Sequence, residues 1–331
     1  NTDGNDDNYK SGLSYIRKFA TQGRSLMFNL SQEYISTVQA TMLNSDVRFY
    51  TNDSTYTSTL IDQRKTNEAK SNKYGVTVNY TEPFGKKYFL VTDYSFNVSD
   101  ENSTKLTLKK SGGGDYIQLV DSLSSDFKYH VAAHRGGASL KYQDKKLTLS
   151  LGGRISYTDW KQNNYLLQTT QTRSFTNYFP AARFSYKVGT SSSLELNYNG
   201  RTKQPTIQQI QPLIDNTNPL SISLGNNNLV QSFSNSYTLR FNRYKPLTGS
   251  GIWSSLTYTH TNNDFVTKSD VTPDGKRTFQ TINMNGNYSL GGSIYHYFSI
   301  KKYLLSLNSN VGFTHGVGHN VVNGLDNANT N

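Results

Sequence analysis

Apolar and polar residues alternate one by one along much of this chain. Between residues 147 and 157, Leu147, Leu149, Leu151, Ile155 and Tyr157 take one side of the alternation. Thr148, Ser150, Gly152, Arg154 and Ser156 take the other. A period of two is the period of a β-strand, whose successive side chains point to opposite faces. The pattern returns at Leu26, Phe28 and Leu30, at Tyr74, Val76, Val78 and Tyr80, and at Leu90, Thr92, Tyr94 and Phe96. It predicts strands over residues 12–20, 24–36, 74–80, 90–96, 127–142, 146–160, 173–187, 194–200, 235–244, 252–261, 278–300 and 303–315. No helical period competes with it.

The connections alternate as regularly as the side chains do. Thr21-Gln22-Gly23, residues 82–86, Gln143-Asp144-Lys145, Gly189-Thr190-Ser191, residues 246–249 and Lys301-Lys302 are short turns. Residues 37–70, 97–126, 161–172, 201–234 and 262–276 read as long polar loops, and so do the two tails, 1–8 and 323–331. The polar strand face is largely uncharged, as where Asn283, Asn285, Asn287 and Ser289 oppose Ile282, Met284, Tyr288 and Leu290. A soluble sandwich would carry Lys and Glu on its outer face. Short turns at one end, long loops at the other and a polar uncharged face belong to a membrane barrel with a watery or plugged lumen.

The expected fold is therefore all-β, an antiparallel up-and-down transmembrane β-barrel. Leu147, Leu149, Leu151, Leu194, Leu196, Leu239, Phe241, Leu305 and Leu307 are expected to face outward. Thr148, Ser150, Asn197, Arg240 and Asn308 are expected to face inward. Tyr74, Tyr88, Tyr157, Tyr244 and Tyr303 stand at predicted strand ends and suit the aromatic girdles of such barrels.

Composition sharpens this picture. Hydrophobic residues make up 34% of the 331 residues and charged residues 17%, both low for a soluble globule. The 24 Tyr and 16 Phe argue against disorder. A mean hydropathy of -0.66 would describe a soluble chain, but in a barrel only alternate residues meet lipid. No apolar run approaches the roughly 18 residues of a spanning helix. With no Cys, disulfides and thiolate metal sites are excluded. The net charge of +11 is dispersed rather than blocked. That favours lumen-lining charge or anionic lipid contact, including lipopolysaccharide, over nucleic acid.

One stretch carries a more specific signal. Arg201-Thr-Lys-Gln-Pro205 is followed by Ile207-Gln-Gln-Ile210-Gln-Pro212, then Asp215, Asn218-Pro219, and Gly225-Asn226 with Leu229. Each proline removes a backbone donor and fixes φ, so this segment is no central strand. Gly225-Asn226 supplies a turn. The series resembles a signature of TonB-dependent outer-membrane receptors, in the subgroup labelled outer membrane β-barrel family protein. Tyr178-Phe179-Pro180-Ala-Ala-Arg-Phe184-Ser-Tyr186 resembles the strand before that signature, and Lys18-Phe19 with Gly23-Arg24 a periplasmic hairpin. Asn227 stands where the family has Pro, Gln231-Ser232 where it has Pro-Glu, and Asn218-Pro219 near the place of Asp-Pro.

The resemblance implies a bacterial outer-membrane barrel of about 22 strands that holds a plug. This chain would be one barrel domain over residues 1–331, with about 12 of those strands and without plug, energy-coupling segment or terminal strands. It implies TonB-coupled uptake of a scarce extracellular ligand: a siderophore, vitamin, glycan or peptide. The implied partners are outer-membrane lipid, the plug of the same protein and, through it, the TonB complex. Arg201, Pro205, Pro212, Asp215, Pro219, Gly225, Asn226 and Leu229 would form an ordered extracellular loop able to touch ligand. Two alternatives remain at this point, a barrel serving adhesion or assembly and a soluble extracellular β adhesin.

No catalytic, cofactor or metal set is expected. His315 and His319 are four apart without a helix to converge them, and His130 and His134 lie roughly 13 Å apart along one strand face. Asp3, Asp6 and Asp7 with Asn5 and Asn8 read as a solvated acidic loop rather than a Ca²⁺ site. Gly112-Gly113-Gly114 lacks the Lys-Ser/Thr of a phosphate cradle. His134-Arg135-Gly136-Gly137 reads as a strand bend or bulge.

Overall fold

The computed structural model describes residues 2–52, 55–112, 114–210, 215–218, 221–273 and 275–331. Twelve long strands run in order: β1 (Thr2–Lys18), β2 (Ser25–Asn52), β3 (Thr55–Phe84), β4 (Tyr88–Lys110), β6 (Ser125–Gln143), β7 (Leu147–Asn164), β8 (Thr169–Gly189), β9 (Ser192–Lys203), β12 (Ser232–Lys245), β13 (Ser250–Asn262), β16 (Asn287–Ile300) and β17 (Leu305–Val322). Each pairs antiparallel with the next, which makes one continuous meander. The longest helical segment among the described residues is one turn, Ile207–Ile210.

Short strands occupy the connections at the long-loop end: β5 (Tyr116–Leu119), β10 (Asp215–Asn218), β11 (Ser221–Leu224), β14 (Asp264–Val271), β15 (Arg277–Met284) and β18 (Leu325–Thr330). Four of them, β10, β11, β14 and β15, join into a second layer of pairing. β10 pairs with β11, β11 parallel with β15, β15 with β14, and β14 parallel with the end of β17. Three loops separated in sequence are thus tied together over one end of the wall.

The register separates the two faces as expected. Leu140, Leu151, Ala182, Tyr198, Tyr237, Tyr258 and Leu290 stand side by side across seven strands on the apolar face. Leu149, Leu151, Leu196, Leu239, Leu305 and Leu307 are exposed, Leu151 at 71%. Leu147, Leu194 and Phe241 are half-exposed. Thr148, Ser150, Asn197, Arg240 and Asn308 share the opposite face, the one on which the interior loops pack. A large apolar surface left outside is the arrangement lipid requires.

Several sequence expectations are corrected. Residues 2–8 and 325–330 are strand rather than loop, and residues 37–70 and 97–126 are mostly strand. Strand pairing continues past the membrane band, where no lipid demands alternation, so polar paired backbone resembles loop. Past Gln63, where pairing with β4 ends, residues 55–62 of β3 continue to pair with residues 44–52 of β2 as a hairpin extension. The single strand expected over 278–300 is two strands, because Gly286 between them takes φ 103°, open to glycine and strained for other residues. The run His134-Arg135-Gly136-Gly137 is no bulge, since its register with β4 and β7 is unbroken.

The aromatic belts are partly as expected. Tyr88 opens β4 and packs against Tyr142 at 5.1 Å. Tyr198, Tyr237, Tyr258 and Tyr288 form an upper row with ring centroids 5.0, 6.4 and 6.2 Å apart. Tyr74 and Tyr157 lie inside longer strands, so they mark the band's edge and not the strands' ends. Tyr244 faces inward, stacked with Trp253 at 6.1 Å.

Candidate functional site

The site is built where the signature segment meets the inner wall. Arg201 is not in a loop: it lies in β9, opposite Ser234 of β12. After Lys203 the chain leaves the wall at Pro205. Thr206 then opens the helical turn with a capping box. The Gln209 side chain accepts from the Thr206 amide at 2.9 Å, and the Gln209 amide donates to the Thr206 hydroxyl at 3.3 Å. Both satisfy donors that a helix start leaves free. The turn places Ile210 in an apolar cluster with Leu229 and with Phe127, Tyr129 and Trp160 of β6 and β7. Val131, Phe175 and Phe265 pack around it. This is the largest dry core among the described residues, and it fastens a loop to the inside of the wall.

Polar contacts continue the fastening. The Asn226 amide donates to the Gln209 carbonyl at 2.7 Å, and the Asn226 side-chain oxygen accepts from the Asn228 amide at 3.0 Å. That is the turn expected of Gly225-Asn226, centred one residue later. Asn226 Nδ2 donates to the Thr281 carbonyl at 2.8 Å, and Gln280 Nε2 to the Gly225 carbonyl at 3.0 Å. Asn283 takes the Val230 amide at 2.8 Å and donates to its carbonyl at 3.0 Å. On the wall side, Arg173 donates to the Asn227 carbonyl at 3.2 Å and to its side-chain oxygen at 3.0 Å. Gln231 Nε2 donates to Asn177 Oδ1 at 3.0 Å, and Asn177 donates on to Ser156 at 3.1 Å. Asn227 and Gln231, two of the departures from the family pattern, make these polar contacts to the wall.

Of the sequence-predicted site residues, Gly225, Asn226 and Leu229 are brought together here, with Arg201 and Pro205 at the segment's start. Asp215 stands in β10, paired with Ser223 of β11. Pro212 and Pro219 lie outside the described residues. Sequence reasoning missed Arg173, Asn177, Trp160, Gln280 and Asn283. The alternation of β7 and β8 places the first three on one face, but nothing local says which loop returns to them.

The histidines are dispersed. His130 Nδ1 contacts Asp100 at 2.8 Å, His319 Nδ1 contacts Asp326 at 3.0 Å, and His315 Nδ1 contacts the Asn331 carbonyl at 3.1 Å. Asp3, Asp6 and Asp7 lie on the exposed strand β1, alternating between its faces.

The profile of the outer membrane protein beta-barrel family matches residues 17–331. The chain belongs to that family and is a β-barrel protein of the bacterial outer membrane, which excludes the soluble-adhesin alternative. Comparison with curated proteins finds no match. Among solved structures the wall resembles the copper transporter OprC, with a TM-score of 0.67 at 11% identity over 95% of this chain and 48% of that one. The ferric citrate transporter FecA gives 0.63 at 14% over 93% and 42%. The pyoverdine outer membrane receptor FpvA of Pseudomonas aeruginosa PAO1 gives 0.60 at 15% over 96% and 45%. The likeness is one of fold, and the chain spans about half the length of these relatives.

Proposed function

We propose that this chain is the greater part of a barrel wall in a receptor that imports a scarce extracellular ligand by TonB-coupled active transport. A plug elsewhere in the same protein would supply the moving part. Binding and passage, without bond-making chemistry, are the assigned role. The observation that carries this reading is the clamp: residues 205–210 and 221–231 are held at the long-loop end of the wall by the Ile210–Leu229 cluster and by pairing of β11 with β15 of the next loop. A mouth lined by an ordered inward segment presents fixed groups to a solute entering the lumen, and fixed groups bind at lower entropic cost than mobile ones. Solved structures of this fold are named for copper, ferric citrate and pyoverdine. These ligands differ from one another, so the shared wall supports the transport reading without naming a cargo.

The test uses the full-length protein in its own outer membrane. Cells would be depleted of the energy-coupling complex, and growth on the limiting nutrient measured against cells lacking the receptor. Loss of the growth advantage in both cases is the expected result. An advantage that survives depletion would reject coupled transport and favour passive entry or an adhesive role.

A further inference from the structure

The inner wall is not merely polar; its charge is one-sided. On the inner face of β4 to β16, below the clamp, the charged residues are Asp93, Arg135, Lys141, Arg154, Arg183, Lys187, Glu195 and Arg240. Six are cations and two are carboxylates. Arg154 Nε contacts both oxygens of Asp93, at 2.9 and 2.8 Å, and Arg183 contacts Glu195 at 3.1 Å. Those two pairs consume the two carboxylates.

The excess continues to the mouth, where Arg173, Arg201 and Lys203 lie on the same face of β8 and β9, beside the clamp, and Glu101, opposite Tyr129, is the carboxylate at that level of β4. Among the described residues, no carboxylate lies within ion-pair distance of Arg135, Arg173, Arg201, Lys203 or Arg240. Their contacts are neutral where they have any. Arg173 reaches the Asn227 oxygens, Arg135 lies 4.9 Å above the Phe179 ring and Lys203 5.7 Å above Phe265. Such contacts orient a cation and leave its charge unbalanced. Cations along one wall of a low-dielectric channel focus the field and concentrate anions.

We infer that the ligand passing along this wall is a small polyanion, guided from Arg201, Lys203 and Arg173 at the mouth past Arg135 to Arg240. The inference rests on the transport reading and narrows its substrate class. Carboxylates or phosphates would be held by charge-assisted hydrogen bonds from the guanidinium groups. A cationic ligand would be repelled by this wall, and an uncharged one would lack the charge-assisted part of these bonds.

The test is equilibrium binding of inorganic pyrophosphate and of citrate to the detergent-purified full-length protein. Glucose and spermidine at matched ionic strength are the controls. The expected result is binding of either polyanion and of neither control, weakened about tenfold by Arg201→Gln or Arg135→Gln and retained in Arg201→Lys. Absence of polyanion binding, or binding indifferent to both substitutions, would overturn the inference. So would substitutions that lower thermal stability in a protein that binds neither polyanion, because the cations would then be covered by an acidic surface of the protein itself. A protein that binds both polyanions yet confers no coupled growth would sink the transport reading and leave the anion site standing.

Discussion

Single residues hold the mouth in two ways, by burial and by charge. Leu229 is 5% exposed and shares its cluster with Trp160 and Ile210. Leu229→Ala should cost about 2–5 kcal/mol of the clamp's stability, from lost burial and the cavity left behind. The expected outcome is faster protease cleavage within residues 204–231 while the heat-modifiable folded band of the barrel is unchanged. Charge acts higher up, outside the membrane. Lys110 donates to Asp62 at 2.7 Å and the Tyr116 hydroxyl donates to it as well, so the Asp62 carboxyl sits below its ordinary range, chiefly because of Lys110. A depressed folded value means stability that is present above the unfolded value and lost as pH falls through the folded one. Below about pH 4 the tie between β3 and β5 should weaken. Amide exchange in residues 116–119, scaled to an unstructured peptide at each pH, should show this, and Asp62→Asn should remove the pH dependence.

At the scale of strands, close backbone approach decides what a position accepts. A Cβ on Gly152 would collide with the Ala138 carbonyl and the Ser139 backbone on β6, and backbone cannot move aside as a side chain can. Gly152→Val should therefore separate β6 from β7 and reduce the folded fraction in the outer membrane, read as loss of the faster-migrating band on unboiled gels. The strands inside the membrane band were legible in the sequence because lipid on one side and water on the other force alternation, as at residues 147–157. The hairpin extension of residues 44–52 and 55–62 was not, since beyond the membrane band no lipid imposes alternation. The clamp was half legible. The prolines and Gly225-Asn226 announced an ordered segment, but its inward fold depends on Trp160, Asn177 and Asn283, which are far away in sequence. Neither Asn227 nor Gln231 looked like a fastening until their partners were in view.

For the whole molecule, the inverted arrangement of apolar residues gives the sharpest test. Leu151 and Ser150 are adjacent, and the wall puts lipid on one and lumen on the other. Leu151→Lys should destabilise the full-length protein in lipid by about 2–4 kcal/mol, the cost of a cation near the bilayer midplane. Ser150→Asp, which meets Lys141 and Arg183 on the neighbouring strands, should leave urea unfolding in lipid nearly unchanged. Equal effects would mean that the faces are assigned wrongly. The hairpin extension of β2 and β3 has a different consequence, one of reach. Still paired over residues 44–52 and 55–62, it extends roughly 30 Å past the end of β4 at about 3.3 Å per residue. Whatever approaches the cell from outside meets this spur before it meets the mouth. Protease added to intact cells should cut there first, and an antibody raised against it should mark living cells while leaving the entrance beneath unobstructed.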